Sequence, residues 1–188
     1  MPLNDFVSAI NDHFSGLVPG IKVYGIARSI VRRTGTVVET LPGIVSYKGE
    51  IEYVGIDDVN SVRIYHKSVS ISTTQRNNGS GNNIGDIVNT YGMAMFVYLD
   101  RAKLNLDAEE FFLYLQANMP DNVKADPFAY ISFRLTNVNL NPEQVFAAEY
   151  RGIEFSLPAE KTFFQVNYTI ETVLKKQCFA TCPEGLKC

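Results

Sequence analysis

The chain has 188 residues, of which 46% are hydrophobic and 20% are charged, so it can bury a core without the help of a metal or a disulfide. Its net charge of -3 at pH 7 does not indicate the excess of basic residues that is typical of nucleic-acid-binding proteins. No apolar run reaches the ~20 residues that span a bilayer. We therefore expect a chain made in the cytoplasm, with no membrane partner, no sequence-specific binding to nucleic acid and no cofactor.

An N-terminal helix is the first element that the sequence predicts, because apolar residues recur there at helical spacing. Asn4 can cap this helix, and Pro19 and Gly20 end it. Its apolar face consists of Leu3, Phe6, Val7, Ile10, Phe14 and Leu17.

The next stretch, IKVYGIARSIVRR, divides into two predicted elements. Ile21 and Val23 indicate a short strand, and residues 26–31 fit a helical turn. Three arginines form a small basic cluster, which is either a solvated surface or a contact with an acidic neighbouring chain: Arg28, Arg32 and Arg33.

Strands follow from Gly35 to Val54, where turn residues interrupt short apolar runs. Lys48 and Gly49 predict a hairpin turn within this region. The stretch SVRIYHKSVSISTT then alternates as a long strand with one slip near Lys67, which indicates a β-bulge. The predicted partner of this long strand is YGMAMFVYLDR.

Two capped helices and three strands complete the predicted fold. Asp107 caps the helix in DAEEFFLYLQAN, and Asn141 caps the helix in NPEQVFAAEY. The predicted strands are FAYISFRLTNVNL, GIEFSLP and TFFQVNYTIETVL. This order predicts one α+β domain over residues 1–177, with a mixed or mainly antiparallel sheet, helices on one side and a long projecting hairpin loop. Residues 178–188 are expected to form a flexible tail.

The segment between the two long strands, TTQRNNGSGNNIGDIVNTY, is rich in glycine and asparagine. Strands flank it on both sides and its glycines miss the dinucleotide fingerprint, which disfavours phosphate binding. It is longer than a hairpin needs, which favours an arm that becomes ordered against another subunit, anchored by Ile84 and Ile87. The predicted contact residues are Arg76, Asn77, Asn78, Gly79, Ser80, Gly81, Asn82, Asn83, Ile84, Gly85 and Asp86.

Residues suited to catalysis are few. His13 is predicted to lie on the surface of the first helix, and His66 lies within a strand, where a structural role is favoured. Glu50 and Glu52 share a predicted strand face where a divalent cation can bind, and residues 57–58 favour a turn. No second acidic cluster supports metal chemistry, and no serine lies in a G-x-S-x-G motif. We therefore expect a protein that is not an enzyme.

All three cysteines lie at the end of the chain, in CFATCPEGLKC: Cys178, Cys182 and Cys188. Their spacing is not a common zinc pattern, and a fourth ligand has to come from elsewhere. We expect three reduced thiols on the tail, with an intermolecular disulfide after release from the cell as the alternative.

These stretches resemble the small neck and tail-connecting ring proteins of tailed bacteriophages, including the tail-terminator type. The resemblance is architectural, covers most of the chain and rests on the helix NDFVSAINDHF, the strand IKVYGIA, the extended hairpin around Asn77 to Asp86, the helix DAEEFFLYLQAN and the strand FFQVNYTIE. The stretches LPGIVSYKGEIEYVGIDD and VRIYHKSVS also resemble the sequences of phage and prophage proteins from gut-type Bacteroidetes. The resemblance implies a virion protein that forms a homo-oligomeric ring at the capsid–tail junction, in contact with neighbouring neck or tail proteins.

Two other classes of function stay open at the level of sequence. A module that binds a small ligand or a carbohydrate can use tyrosines on a sheet face, such as Tyr53, Tyr65 and Tyr98, although tyrosines also pack within sheets. A small hydrolase can use an acidic site with Glu50 and Glu52. A ring protein should oligomerise, whereas a ligand module should be a monomer that its ligand stabilises.

Overall fold

The computed structural model describes residues 2–55, 59–76, 86–119, 122–125, 128–155 and 157–174. The helices are α1 (Pro2–Phe14), α2 (Arg101–Leu104), α3 (Ala108–Ala117) and α4 (Pro142–Glu149). The strands are β1 (Ile21–Ile26), β2 (Arg28–Thr34), β3 (Val37–Val45), β4 (Ile51–Tyr53), β5 (Val62–Arg76), β6 (Asp86–Asp100), β7 (Asn122–Ala125), β8 (Phe128–Asn139) and β9 (Lys161–Leu174). Among the helices of the described residues, none is long and apolar enough to cross a bilayer.

The strands form two sheets. The larger sheet has six strands in the order β1-β5-β6-β9-β8-β7, and the smaller sheet has the order β2-β3-β4. β1 runs parallel to β5, whereas the other neighbouring pairs are antiparallel. The predicted α+β fold with a mixed sheet is therefore confirmed.

The larger sheet buries both of its faces, each in a separate hydrophobic core. α1 and α3 cover one face, where they pack with alternate residues of β6 such as Met95 and Val97. α4 and the smaller sheet cover the other face, where Leu41 belongs to the same core as Phe96. The prediction that the helices lie on one side is wrong, because β6 is buried at every position from Met93 to Leu99 and both faces need cover.

Three local predictions are also wrong. Residues 28–34 form a strand and not a helical turn, because β-branched residues in this stretch pair with β3 along its whole length. The described part of GIEFSLP is not a strand, since Arg151 makes a single bridge to Thr40 and Gly152 then turns the chain with a φ of 76°. Asn4 lies inside α1 instead of capping it, because the helix already begins at Pro2.

The long hairpin of β5 and β6 is confirmed. Each strand has 15 residues, and the last described rung of the pair is Arg76 with Asp86. The register shifts between Ser68 and Ser70, so the irregularity predicted near Lys67 is a β-bulge. β9 pairs with β6 over the same length, so the stem of the hairpin is part of the sheet.

Both predicted helix caps are confirmed. The side chain of Asp107 accepts a hydrogen bond from the backbone N–H of Glu110 at 2.8 Å, and the carboxylate of Glu110 accepts one from the N–H of Asp107 at 2.9 Å. This reciprocal pair is a capping box at the start of α3. At α4, Asn141 accepts from the N–H of Gln144 at 3.1 Å, with Pro142 at the first helical position.

The change Asp107→Ala is expected to lower the free energy of unfolding by about 1 kcal/mol, because it leaves the N–H of Glu110 without its acceptor. Urea unfolding monitored by circular dichroism measures this loss. Glu109→Ala is the matched control, since Glu109 lies in the same turn outside the capping box. Equal losses in the two variants would contradict a specific role for the cap.

Candidate functional site

The edge of the larger sheet is only half covered at β5. β1 pairs with β5 as far as His66, and beyond that point β6 is the only described strand that pairs with β5. The side chains of residues 68–75 are exposed, and the large apolar ones among them are Val69 and Ile71, at 68% and 60%. Within the described part of the chain, residues 67–75 therefore present an unpaired strand edge, which we call the open edge, and such edges readily pair with another strand.

The open edge belongs to a well-supported part of the sheet. On its inner side β6 continues to pair with β9 as far as the rung Ile87–Leu174. Val88 of β6 is 2% exposed at this level, so the stem buries apolar surface almost to its end. The open edge is thus an extended strand held in a fixed register and not part of a loop.

A groove of about 660 Å³ lies beside the start of the open edge. Its walls include the end of β1, the start of β2 and the start of the open edge. The start of α1 and the end of β3 supply its other walls. The lining residues are Leu3, Asn4, Ile26, Ala27, Arg28, Ser29, Val45, Ser46, Lys67, Ser68 and Ile71.

A buried ion pair lies under one side of this groove. The Nζ of Lys67 is 2.6 Å from Oε2 of Glu149 on α4, and their side chains are 16% and 7% exposed. The hydroxyl of Tyr65 donates to the same oxygen at 2.9 Å, and Lys67 also donates to Oγ of Ser29 at 3.0 Å. These contacts join β5 to α4 and to β2 and hold the walls of the groove together.

The hydroxyl of Tyr65 belongs to the same cluster as the ion pair of Lys67 and Glu149. Burial, and next the charges of Tyr150 and Glu149, raise the pKa of Tyr65 well above its usual range, so its hydroxyl stays a donor. The cluster therefore links β5 to α4 through hydrogen bonds that Glu149 accepts.

His66 forms a second buried network on the other face of the sheet. Its Nε2 is 2.9 Å from Oδ1 of Asn11, whose Nδ2 donates to the carbonyl of Tyr24, and its Nδ1 is 2.8 Å from the hydroxyl of Tyr168. Because Asn11 presents an oxygen and Tyr168 a hydroxyl, a neutral ring with its proton on Nε2 satisfies every group. Burial lowers the pKa of His66 to about 3. The predicted structural role of this histidine fits that environment.

The predicted subunit-contact loop begins and ends on described residues. Arg76 and Asp86 pair as the last rung of the β5–β6 stem. Residues 77–85, which make up the rest of the predicted arm, lie outside the described residues. Cys178, Cys182 and Cys188 also lie outside them.

Glu50 and Glu52, which were predicted to share a strand face, lie in different surroundings. Glu50 precedes β4, where its N–H donates to Oγ of Ser46, so it does not share a strand face with Glu52 as predicted. Glu52 pairs with Lys22 at 2.8 Å. Residues 57–58 lie outside the described residues, and within the described part of the chain no three His, Cys, Asp or Glu side chains are placed to hold a metal ion.

The tyrosines considered for ligand binding are mostly inside the protein. Tyr65 is 1% exposed and Tyr98 is 5% exposed, and both belong to the core beneath α4 and the smaller sheet. Tyr65 stacks on Phe96 with ring centroids 4.9 Å apart. Tyr53 packs at the margin of the same core. These rings therefore contribute to the packing of this core.

The basic cluster of the sequence lies along one strand, β2. Arg32 pairs with Glu39 of the adjacent strand at 2.6 Å, which satisfies part of its charge. Arg28 and Arg33 are exposed, and Arg28 lines the groove. The solvated-surface interpretation therefore fits Arg33, whereas Arg28 is positioned to meet whatever enters the groove.

No family model matches the chain, and no curated protein matches it.

Sequence reasoning missed the groove and the buried ion pair. Lys67 stood out only as the place where the strand pattern slips, and nothing in the local sequence around Glu149 indicates its partner 82 positions earlier. Glu149 ends α4 four residues after Val145 and three after Phe146, so it lies on the buried face, where helical spacing predicts an apolar residue. The signal that could have identified the pair is the combination of a charged residue in a buried strand with a charged residue on a packed helix.

Proposed function

We propose that the chain is a structural protein of tailed bacteriophages whose identical copies join into a closed ring at the capsid–tail junction. The observation that carries the self-association is the open edge, residues 67–75 of β5. Unpaired strand edges either aggregate or find a defined partner, and an identical neighbour in a ring is such a partner.

The composition of the open edge supports a role in contact. Soluble proteins block exposed strand edges with charged residues, prolines or bulges. Residues 68–75, SVSISTTQ, contain no charged residue and no proline, and the bulge near Val69 precedes most of the stretch. From Ile71 to Gln75 the edge carries none of these protective features. Such an edge is suited to pairing in the assembled protein.

The geometry of the edge favours a head-to-tail contact. The groove wall and the open edge form one surface, and no second described strand repeats this combination of features. A neighbour that covers it with a different surface makes a heterologous contact, which closes into a ring when the rotation between copies allows it. Each contact can be weak, since ring closure and adjoining virion parts raise the effective concentration of the subunits.

The placement at the capsid–tail junction rests on the resemblance to phage neck and tail-terminator proteins. The order of an N-terminal helix, a mixed sheet, a long hairpin, a capped helix and a closing strand supports that comparison. The buried tyrosines and the ion-paired lysine support a non-enzymatic role over a ligand module or a hydrolase.

Mass photometry and negative-stain imaging of the purified chain over a range of concentrations test the ring. We expect closed particles with rotational symmetry at high concentration. Ile71→Lys should raise the concentration needed for assembly by about tenfold or more, because a charge on the edge opposes strand pairing and tenfold corresponds to ~1.4 kcal/mol. Leu113→Lys is the matched control, since Leu113 is exposed to a similar extent, at 55%, but lies on α3.

Two results would refute the proposal. If Ile71→Lys and Leu113→Lys affect assembly equally, the open edge is not the contact. If purified virions contain no copies of the chain, or contain copies only away from the capsid–tail axis, the placement in the neck is wrong.

A further inference from the structure

The backbone of the open edge directs hydrogen-bonding groups outward at alternate residues. The N–H of Ala27 donates to the carbonyl of His66 at 2.7 Å, so even-numbered residues before the bulge face away from β6. The N–H of Asp100 donates to the carbonyl of Ser61 at 2.8 Å, so odd-numbered residues there face β6. The extra residue of the bulge reverses this alternation. The residues that direct N–H and C=O groups outward beyond the bulge are therefore Ile71, Thr73 and Gln75.

The groove lies beside the same edge and provides space for an added strand. A strand that continues the line of β1 past Ile26 would lie against β5 at the distance of a sheet neighbour, ~4.8 Å. Leu3, Arg28 and Val45 line the groove that such a strand would enter. The site thus combines a backbone ladder with side-chain walls, which is the arrangement of β-strand addition.

The chain itself supplies a candidate strand beyond the described residues. At least 14 residues follow Leu174, which ends β9. Residues 177–182, QCFATC, include Phe179 and Thr181, which favour strands, and Pro183 directly after them would end a strand. No charged residue interrupts these six positions.

The distance around the hairpin disfavours binding of this segment to its own open edge. Leu174 is level with Gln75, but β6 and β5 separate β9 from the vacant position, a path of about 14 Å at ~4.8 Å per strand. Crossing it takes roughly five residues at ~3.3 Å each, which uses the chain as far as Phe179. Three residues would then remain before Pro183. The open edge of a neighbouring copy does not impose this crossing.

We propose that residues 177–182 of one copy bind as an added strand to the open edge and groove of a second copy. The proposal rests on the self-association proposed above and names the segment that covers the edge. It assigns the C-terminal segment to assembly and assigns the groove as its receptor.

A peptide of residues 175–188, with its three cysteines replaced by serine, tests the site on the full chain kept dilute. We expect amide hydrogen exchange at Ile71, Thr73 and Gln75 to slow by about tenfold or more at saturating peptide, equivalent to ~1.4 kcal/mol. The same peptide with Ala180→Pro is the matched control, because it cannot complete the ladder. Absence of protection, or equal protection by both peptides, would overturn the proposal.

A crosslinking experiment distinguishes binding within one copy from binding between copies. The variant Thr73→Cys places a thiol on the open edge, opposite the position expected for Cys178 or Cys182. After isotopically heavy and light copies are mixed at assembling concentration and mildly oxidised, we expect disulfides that join heavy to light chains. Disulfides confined to single chains would overturn the proposal in favour of binding in the same copy.

The two experiments also separate this inference from the ring. Assembly into rings without protection by the peptide would overturn the inference and leave the proposed function intact. Specific protection in a chain that stays monomeric at every concentration would support the receptor site and refute the ring.

Discussion

Replacing Glu149 with alanine is expected to lower the free energy of unfolding by about 3 kcal/mol, as is typical when one partner of a buried ion pair is removed. The change leaves the ammonium of Lys67 and the hydroxyl of Tyr65 without the acceptor that they share. It also frees the end of α4 from β5. Chemical denaturation at neutral pH measures the loss.

Two further variants make the interpretation specific. Glu149→Gln keeps an acceptor for Tyr65 but removes the charge, so its loss should be smaller than that of the alanine variant. The combination of Glu149→Leu, Lys67→Met and Tyr65→Phe removes all the polar partners at similar volume, and it should recover most of the stability. If the losses simply add across the three positions, the groups do not act as one network.

Acidification is expected to destabilise the protein by about 2.3 kcal/mol between pH 6.5 and pH 4.5 through His66 alone, because the slope is about half of ~1.36 kcal/mol per pH unit at pH 6.5 and rises to that full value below it. Burial lowers the pKa of His66 to about 3 in the folded protein, against the ordinary histidine value of 6.5. Between these two values the unfolded chain binds a proton that the folded chain does not bind. The contribution of buried, neutral His66 to the free energy of unfolding is therefore fully present above the unfolded-state pKa of 6.5. It is lost as the pH falls toward the folded-state pKa near 3.

The variant His66→Gln isolates this effect from the titration of carboxylates. Glutamine can donate to Asn11 and accept from Tyr168, as the neutral ring does, but it does not titrate in this range. It is expected to be less stable than the parent protein at pH 7.5 and to show a shallower slope of stability against pH. Since His13 is present in both proteins, it cancels in the comparison. Parallel slopes would show that His66 is not the buried neutral group described above.

Both buried networks lie at the same level of the hairpin, immediately before the bulge. Tyr65 and Lys67 are tied to Glu149 on one face, and His66 is tied to Asn11 and Tyr168 on the other. The open edge begins at this anchored base. A partner strand therefore meets an edge that is already extended and in register, which reduces the conformational entropy lost on binding.

Local sequence signals predicted the elements that depend on local physics. The caps at Asp107 and Asn141 were predictable because an N-cap needs only a side-chain acceptor and the N–H groups within the next turn. The bulge near Lys67 was predictable because the period-two alternation of a strand has to slip where a residue is inserted. The residues at 28–34 were misassigned because short apolar spacings fit a helix and a strand equally well, and pairing with β3 decides between them.

By itself, the sequence determined the α+β class and the long hairpin, because composition and periodicity act over neighbouring positions. Only the tertiary structure decided which faces of the sheet are covered, where β1 stops beside β5, and that Lys67 meets Glu149. These features depend on contacts between residues far apart in the chain, whose formation is set by the packing of whole elements. The open edge belongs to this second group, since a strand reveals an unpaired side only after all of its neighbours have been placed.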